Sequence, residues 1–375
     1  MSIPRFSPGH ILLNRYEIRN FHAAGGMQEV YRCFDLALGR EAVIKTPKQE
    51  VRDRRFRRGA EMGARVNHSN VAATFDYFED EDLTFLVEEF IPGMDLAKRL
   101  ESDFEYMDPS LAAHVIHHVI KALHEAHRVG ICHRDLKPSN IMVSSDLNLR
   151  IIKLTDFGIA KLAENEIEAE MELFDKDEST LTTSNTLLGA VPYLAPECWV
   201  DWRSAGKPMD IWALGCIAYQ LLVGEPPFGY GRAAIMKVAQ LKHTGHIDIQ
   251  KPRWFGQHKN TELLENELWN LVRSCIQLDP YGRPTADALL ENCDLLCYAT
   301  TERREGTIVR YPTQYSGGGT SMSGNITDSS TARSYFFHFS EFFGNQAPVT
   351  SQRVSFSIYP GTPHPRCSPV LLLRQ

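Results

Sequence analysis

The stretch that decides the fold is His133-Arg134-Asp135-Leu136-Lys137-Pro138-Ser139-Asn140, which is followed farther along the chain by Asp156-Phe157-Gly158. These residues supply the groups that phosphoryl transfer requires. The carboxylate of Asp135 can accept a hydroxyl proton, and the ammonium of Lys137 can meet a migrating phosphoryl group. Asn140 and Asp156 offer hard oxygen ligands, which suit Mg²⁺. A lone His-Arg-Asp tripeptide would carry little information, but both motifs at this spacing are specific.

Together the two motifs resemble the eukaryotic-type protein kinase family, and Lys137 is typical of its serine/threonine branch. The similarity runs from about residue 15 to residue 298. It implies an α+β, bilobal protein-kinase-like fold, with a small β-rich N-lobe over residues 15–91 and a larger helical C-lobe over residues 92–298. Residues 1–14 then form an N-terminal extension, and residues 299–375 form a tail.

The resemblance also implies an ATP site and its cofactor Mg²⁺. Ala42-Val43-Ile44-Lys45 resembles the strand whose lysine holds the ATP phosphates. Glu89 to Ile91 match the hinge that binds the adenine edge, and Met142 falls where the family packs an apolar residue beneath adenine. The implied ATP-binding residues are Ala23, Gly25, Gly26, Val30, Ala42, Lys45, Glu89, Ile91 and Met142, and the implied metal ligands are Asn140 and Asp156.

Two supporting interactions in the larger lobe follow from the same resemblance. Ala195-Pro196-Glu197 resembles the element that closes the activation segment, and in the family its glutamate pairs with a later arginine, here Arg283. Asp210 matches the first turn of a buried helix and should support the backbone of the catalytic loop. The apolar run 211–224 is therefore expected to be a core helix rather than a membrane segment.

Departures from the family pattern lie in two loops. In the glycine-rich loop that covers the phosphates, Ala23 and Gln28 replace the first and third glycines, and Gly25 keeps the middle one. Glycine at such positions lets backbone amides approach phosphate groups, so the two replacements should loosen or re-aim the loop. Ala190 replaces a threonine whose hydroxyl contacts the catalytic loop in the family.

A graver departure concerns the regulatory helix of the N-lobe. Gly59 stands where the family has the glutamate that pairs with Lys45, and Gly63 follows one turn later. Each glycine in a helix interior costs about 0.8–1 kcal/mol relative to alanine, so this helix should be weak. Glu88 occupies a position deep beside adenine that is usually apolar. Since a buried unpaired carboxylate is costly, we expect Lys45 to be its partner and Glu88 to replace the missing helix glutamate.

Composition places the chain among ordinary globular proteins, with 43% hydrophobic and 23% charged residues. Lys+Arg 40 against Asp+Glu 47 gives a net charge of −7, which argues against general nucleic-acid binding. The first residues contain no apolar signal core, and the longest apolar run is too short for a membrane span. Without a secretory signal, the 8 cysteines are expected to be reduced thiols and the protein to be cytoplasmic.

The tail over residues 299–375 is rich in Gly, Ser and Thr, and we expect it to be mostly disordered because such a composition buries little apolar surface. A chain ending near Tyr298 should therefore fold. The exception is an aromatic cluster, Tyr335 to Phe343, which is either a loosely collapsed segment or a short element that binds a partner or docks onto the same chain.

An acidic segment precedes the Ala-Pro-Glu element. Residues 159–188 contain eight acidic residues and two lysines, and they also include serines and threonines between 179 and 186. In the family this region is phosphorylated, so autophosphorylation there is expected. The arginines between 52 and 58 could then hold the phosphorylated segment against the regulatory helix.

The leading interpretation is a serine/threonine protein kinase that transfers the γ-phosphoryl group of ATP to a protein hydroxyl. Lys45 would orient the phosphates, Asp135 would act as the base, and Lys137 would neutralise developing charge. The alternative is a pseudokinase, the same fold used as a binding scaffold or allosteric partner. The departures at Gly59, Ala23, Gln28 and Ala190 favour this alternative. A small-molecule kinase is disfavoured because the Ala-Pro-Glu element has the protein-kinase form.

Overall fold

A computed structural model describes residues 4–24, 28–48, 54–157, 189–199, 201, 205–314, 319–362 and 364–375. The described residues form a small lobe built on one sheet, a larger helical lobe, and a C-terminal unit of β-strands. The first two lobes agree with the expected α+β, bilobal arrangement. The third unit does not agree with the expected disordered tail.

The small lobe is one antiparallel sheet in the order β1-β2-β3-β4-β6-β5. Along β3 half-buried and buried residues alternate, as they must in a strand with one face on a core. Tyr16, Ile44 and Phe85 belong to that core and are fully enclosed. The strands are β1 (Ile11–Leu12), β2 (Tyr16–Ala24), β3 (Gln28–Asp35), β4 (Arg40–Pro47), β5 (Thr74–Glu79) and β6 (Thr84–Glu89).

One helix, α1 (Arg54–Arg65), packs against this sheet. Phe56 and Ala60 form a small cluster with Leu86 on its inner face. Both interior glycines are buried on that side, and a Cβ added at Gly63 would lie 3.0 Å from the hydroxyl oxygen of Thr74. Gly63 therefore lets the helix backbone come close to β5, which offsets part of its conformational cost.

The larger lobe is organised around α4, which is buried over nearly its whole length. This helix contains the apolar run 211–224 and confirms it as part of the core. Gly215 lets α4 approach α6, because an added Cβ would lie 2.6 Å from that of Cys275. The helices are α2 (Leu96–Ser102), α3 (Pro109–Arg128), α4 (Lys207–Val223), α5 (Gly231–Thr244), α6 (Glu262–Cys275) and α7 (Ala286–Asp294). Within the described ranges, no helix is both long enough and apolar enough for a bilayer crossing.

A three-stranded sheet at the base of the cleft presents the predicted catalytic residues. It has the order β7-β8-β9, with β7 (Met94–Asp95), β8 (Ile141–Val143) and β9 (Ile152–Leu154). The predicted catalytic loop ends where β8 begins, and Asp156 lies two residues after the end of β9. Because β8 and β9 are antiparallel neighbours, the loop and Asp156 meet at the same end of the hairpin.

The prediction that residues 299–375 are mostly disordered is wrong. The sheet order is β14-β13-β10-β16-β17-β15, and β14 also pairs with β17, so the sheet closes on itself. We call this unit the C-terminal barrel. The strands of the closed sheet are β10 (Arg303–Arg310), β13 (Ser323–Asp328), β14 (Ser334–His338), β15 (Phe342–Phe343), β16 (Arg353–Tyr359) and β17 (Arg366–Leu372). Two more strands of this unit, β11 (Thr313–Gln314) and β12 (Thr320–Ser321), pair with each other in a separate sheet.

The closure of the sheet explains why a composition typical of disorder is compatible with a folded unit here. Single apolar residues in short, polar strands, such as Ile308, Ile326 and Val354, all point into one enclosed core and are fully buried. A closed sheet also leaves few unpaired strand edges. Polar residues on the outer face therefore lower the average hydrophobicity without preventing a core.

The barrel is docked onto the larger lobe rather than tethered beside it. Phe343, Leu371 and Leu373 belong to the core of the larger lobe. The ring of His258 stacks on Phe343 at 3.9 Å, and its Nε2 lies 2.9 Å from the carbonyl oxygen of Phe342. The aromatic cluster is thus a self-docking element, one of the two alternatives that the sequence left open.

A buried ion pair reinforces the same interface. Arg303 lies 2.7 Å from Asp108, and both side chains are almost completely enclosed. Asp108 also caps the start of α3 by accepting hydrogen bonds from the backbone NH groups of Ser110 and Leu111. At the C-terminus, the guanidinium of Arg374 donates to the carbonyl of Leu100 at 2.7 Å. The barrel therefore supplies charges that the larger lobe would otherwise lack.

Candidate active site

The catalytic loop holds one carboxylate between a cation and an amide. Lys137 Nζ lies 2.9 Å from Asp135 Oδ2. The side-chain amide of Asn140 donates to the same oxygen at 2.9 Å and to the backbone carbonyl of Asp135 at 2.8 Å. Three of the residues predicted from the sequence therefore form one connected group, and Asp135 is oriented by its neighbours while part of its surface stays open to solvent.

The loop backbone is fixed from below by Asp210, as predicted. Its two oxygens accept hydrogen bonds from the backbone NH groups of His133 and Arg134, each at 2.8 Å, and one also contacts His127 at 2.9 Å. Burial by itself would raise the pKa of Asp210, but the hydrogen bond and charge of His127, the charge of His133 and the backbone hydrogen bond from Arg134 together outweigh it, and the pKa lies below its usual value. The carboxylate therefore stays ionised inside the core. It also stabilises Arg134 in an unusual left-handed conformation, φ 68°.

The pair predicted between Glu197 and Arg283 is present. Two guanidinium nitrogens of Arg283 lie 2.6 and 2.8 Å from the two carboxylate oxygens of Glu197. This bidentate geometry is the strong form of the interaction. The guanidinium also lies over the ring of Trp212 at 5.0 Å, so the arginine joins the Ala-Pro-Glu element to α4.

Lys45 on β4 contacts two carboxylates. Its Nζ lies 2.5 Å from Glu88 Oε2 and 2.7 Å from Asp156 Oδ1, and all three groups are largely buried. The expected Lys45–Glu88 contact is thus confirmed. Burial would lower the pKa of Lys45, but Asp156 and Glu88 outweigh it and raise that pKa. The lysine is therefore a fixed cation.

The two carboxylates respond differently to their common cation. Burial raises the pKa of Glu88 in spite of Lys45. For Asp156 burial acts in the same direction, but the charge and hydrogen bond of Lys45, together with the hydrogen bond from Gln28 and the charge of His133, outweigh it, and the pKa of Asp156 is lowered. Asp156 is therefore the more strongly ionised of the two and the better candidate to hold a metal ion.

Helix α1 does not supply the acid that Lys45 uses. Glu61 is the acidic residue of this helix, and it pairs with Arg57 at 3.0 Å on the exposed face. Position 59, where the family pattern places the glutamate, is a buried glycine. The acid beside Lys45 therefore comes from β6 rather than from α1.

The cleft between the lobes contains a cavity of about 260 Å³. Apolar side chains of Val30, Val43 and Met142 line it together with Lys45 and Asp156. Apolar walls with a few charged groups at one end suit a planar base that carries an anionic chain. Of the residues predicted for ATP binding, Val30, Lys45, Glu89, Ile91 and Met142 line this cavity.

Ala42 was predicted to bind ATP, and that prediction is wrong. Its side chain is fully buried in the core of the small lobe, on the side of β4 that faces away from the cavity. Side chains alternate along a strand, so Val43 and Lys45 share one face, and Ala42 and Ile44 share the other. Val43 is the residue that the sequence reasoning missed, and this alternation could have identified it.

Other predicted residues of the glycine-rich loop are only partly accounted for. Ala23 lies in β2, where its backbone pairs with that of Val30. Gly25 and Gly26 lie outside the described residues. Gln28, which replaces the third glycine, donates from Nε2 to Asp156 Oδ1 at 3.3 Å. No sequence signal pointed to this contact.

The predicted metal ligands fit a hard cation. Asn140 directs its amide nitrogen to Asp135, so its amide oxygen is the atom left for a ligand. The hydroxyl of Thr155 lies between the two residues, 3.3 Å from the backbone carbonyl oxygen of Asn140 and 3.4 Å from Asp156 Oδ2, and it can donate its single proton to either oxygen. Among the described residues there is no cluster of three or more His, Cys, Asp or Glu that could hold a metal. A sparse oxygen set of this kind suits Mg²⁺, which takes its remaining ligands from phosphates and water.

The segment predicted to be phosphorylated, 179–186, lies outside the described residues, as do the rest of the acidic stretch, Gly158 and Arg52. The predicted attraction between the phosphorylated acidic stretch and the arginines at the start of α1 therefore stays a prediction. Ala190 is described: it is buried just before a short 3₁₀ turn over Val191–Tyr193.

Comparison with known proteins agrees with this geometry. Residues 19–293 match the family model described as protein kinase domain. The chain is 31% identical over 280 residues to the serine/threonine-protein kinase PrkC of Bacillus subtilis, covering 73% of this chain and 39% of that protein. It is 34% identical over 231 residues to the serine/threonine-protein kinase PknB of Mycobacterium leprae, covering 59% of this chain and 34% of that protein. The chain spans less than half the length of these relatives.

Proposed function

This chain belongs to the protein kinase family, and we propose that it transfers the γ-phosphoryl group of ATP to serine or threonine hydroxyls of proteins. The observation that carries the proposal is the group formed by Asp135, Lys137 and Asn140 at one end of a cleft that has Lys45 and Asp156 on its other wall. The names of the relatives, which are serine/threonine-protein kinases, support the hydroxyl as acceptor.

Each side chain has a distinct task in this proposal. Asp135 accepts a hydrogen bond from the substrate hydroxyl and takes its proton, while Lys137 compensates the negative charge on the transferring group. Lys45 holds the phosphates in line from the opposite wall. Asn140 and Asp156 are the residues that would hold Mg²⁺, which when bound neutralises charge on the phosphate oxygens.

Glu88 acts as a positioning residue for Lys45. In this chain a strand, whose register is set by pairing with β4, provides the acid: Val43 lies opposite Glu88 in that register. A carboxylate on a paired strand keeps its position without movement of α1. We therefore propose that alignment of Lys45 does not depend on where α1 lies.

The remaining proposals concern setting and partners. The protein would act in the cytoplasm, where ATP and Mg²⁺ are available and where its cysteines, all unpaired in the structure, stay reduced. Its partners would be proteins that present a serine or threonine hydroxyl, including its own segment 179–186. The expectation that it does not bind nucleic acid remains a prediction.

The test is transfer of ³²P from labelled ATP, with Mg²⁺, to the full chain and to a generic basic protein. We expect label in the wild-type reactions and a loss of at least about a hundredfold in Asp135→Asn, because the base is removed. Asp82→Asn makes the same chemical change at an exposed turn and should behave as wild type.

Label in the wild type that does not exceed that in Asp135→Asn would overturn the enzyme proposal and favour the scaffold alternative. Omission of Mg²⁺ should abolish the signal as fully as the Asp135 substitution does.

A further inference from the structure

A cavity in the C-terminal barrel, remote from the cleft between the lobes, is lined by basic and aromatic side chains. Its volume is about 690 Å³, which is within the range of ligand pockets. It lies at the seam where β14 meets β17, at the residue pair Phe336 and Arg366. The lining residues are Asn325, Arg333, Ser334, Tyr335, Phe336, Thr362, His364, Pro365 and Arg366, and none of them is acidic.

The distribution of charged residues distinguishes this cavity from the rest of the barrel. Residues 299–375 contain seven arginines, no lysine and four acidic residues, a net charge of +3 in a chain whose total is −7. Most of these arginines are already engaged: their side chains bond to carboxylates or backbone carbonyls, as for Arg303, Arg304, Arg310, Arg353 and Arg374.

The two arginines that remain both line the cavity. Among the residues that the structure describes, neither Arg333 nor Arg366 makes a side-chain hydrogen bond or an ion pair. The side chain of Arg366 lies across the backbone at Gly361, where an added Cβ would be 3.2 Å from its Cγ. Two uncompensated guanidinium groups beside one cavity create a positive site with no internal counterion.

The chemistry of the lining selects the kind of anion. Guanidinium forks match the oxygens of phosphate bidentately, and His364 adds a third nitrogen donor. Tyr335, Phe336 and Pro365 offer apolar surface beside these donors, which suits the residues that flank a phosphate in a peptide. A nucleic acid would need a longer basic track, since such complexes typically neutralise about six to ten phosphates.

We propose that this cavity binds a phosphorylated serine or threonine within a peptide, with Arg333 and Arg366 holding the phosphate. The choice of a phosphopeptide over other phosphate carriers rests on the proposed kinase activity, because the same chain would then generate this group. Docking of the barrel on the larger lobe would hold a phosphorylated partner next to the catalytic domain.

The test measures the binding of fluorescently labelled peptides to the full chain by fluorescence polarisation. The probe is a mixture of random peptides around a fixed phosphothreonine, and the comparison mixture has threonine at that position. We expect the phosphorylated mixture to bind and the unphosphorylated one to bind at least about tenfold more weakly. An oligothymidylate of similar length, as a probe for nucleic acid, should bind more weakly than the phosphopeptides.

Substitutions of single arginines test whether the phosphopeptide binds at this cavity. Arg333→Gln and Arg366→Gln should each weaken phosphopeptide binding about tenfold, and Arg366→Lys, which keeps the charge but not the fork, should fall between. Arg310→Gln removes the same charge from the same unit outside the cavity and should bind within about twofold of wild type. Since neither cavity arginine makes a side-chain hydrogen bond or an ion pair in the described part of the chain, melting temperatures should change little.

Several results would overturn the proposal. They are equal binding of the two peptide mixtures, no binding up to about millimolar concentration, wild-type binding by both cavity variants, or tighter binding of the oligothymidylate. The assay needs no catalysis, so Asp135→Asn should bind phosphopeptides as the wild type does. Loss of kinase activity would therefore be separable from failure of this site.

Discussion

The two lobes maintain their catalytic groups in different ways. In the larger lobe the supporting contacts predicted from the family pattern are present: Asp210 holds the loop, and Glu197 pairs with Arg283. In the smaller lobe the main contact has changed its origin, because the acid beside Lys45 comes from β6 and not from α1. The geometry at the lysine is kept although the residue that provides it is different.

This difference has an energetic basis. Buried charge in the larger lobe is fixed by bidentate or multiple hydrogen bonds inside a continuous core, so loss of a partner should cost stability. The cluster around Lys45 has one cation and two carboxylates, so loss of one carboxylate still leaves a neutral pair. Changes in the larger lobe should therefore lower stability, whereas changes at the small-lobe cluster should lower activity.

The largest effect should follow removal of the C-terminal barrel, which reverses the expectation from composition that a chain ending near Tyr298 folds. A chain ending at Tyr298 loses the packing of Phe343, Leu371 and Leu373 and leaves Asp108 without Arg303. At about 1.5–3 kcal/mol for each large apolar side chain and several more for an unpaired buried charge, we expect a loss of about 8 kcal/mol or more. Thermal unfolding should begin at least about 15 °C lower, or the chain should be insoluble.

A matched pair of point variants refines that prediction. Phe343→Ala in the full chain should cost about 3–5 kcal/mol, since the ring is enclosed at the interface. Val349→Ala, at an exposed position of the same unit, should leave the melting temperature within about 1 °C. A truncated chain as stable as the full one would show that the larger lobe folds by itself and that the barrel is only attached.

The next effect concerns the pair that joins the Ala-Pro-Glu element to α4. Arg283→Met keeps most of the side-chain volume but leaves Glu197 without its bidentate partner. Breaking a buried pair in this way typically costs about 3–5 kcal/mol. Urea denaturation of the variant should show this loss with an unchanged slope. Arg273→Met, on the outer part of α6, is the control and should be nearly neutral.

A comparison of two glutamates tests the smaller lobe directly. Glu88→Gln should lower kcat/KM for ATP about ten- to a hundredfold, which corresponds to about 1.4–2.7 kcal/mol, because Lys45 loses its positioning carboxylate. Glu61→Gln makes the same change on α1 and should leave kcat/KM within about twofold. The melting temperature of Glu88→Gln should stay close to wild type, since Lys45 and Asp156 still neutralise each other.

The opposite pattern would contradict this interpretation. If Glu61→Gln were the damaging variant and Glu88→Gln were silent, α1 would have to move during the reaction so that its own acid reached Lys45.

Sequence reasoning succeeded where chemistry is concentrated in short motifs. Asp135, Asn140 and Asp156 could be located because their spacing is fixed by a loop and a hairpin. Glu88 could be paired with Lys45 because a carboxylate at a buried, usually apolar position needs a cation. It failed at Ala42, because a motif match was read without the two-residue period of a strand. The alternation of side chains along β4 is visible in the sequence, and it places Val43, not Ala42, on the same face as Lys45.

The barrel could not be predicted for a different reason. Its strands are at most eight residues long, and its core exists only because β14 and β17 close the sheet. Closure is a long-range property that average composition does not report. The same holds for Gln28, whose contact with Asp156 joins residues far apart in the chain.

The smallest effect should come from Gln28, and it tests whether the altered glycine-rich loop merely covers the site or also competes with its ligands. Gln28 donates to the carboxylate oxygen of Asp156 that Lys45 also contacts, and its own Oε1 is buried without a partner in the described residues. A cation that binds Asp156 through this oxygen must displace the Gln28 donor. Because one net hydrogen bond contributes about 0.5–1.5 kcal/mol, Gln28→Ala should lower the Mg²⁺ concentration for half-maximal activity about two- to tenfold.

Gln28→Gly removes the same contact and adds backbone freedom, so any difference between the two variants reports the loop and not the contact. Initial rates against free Mg²⁺ at saturating ATP measure both, and an unchanged or higher Mg²⁺ requirement in Gln28→Ala would show that the contact does not compete with the metal.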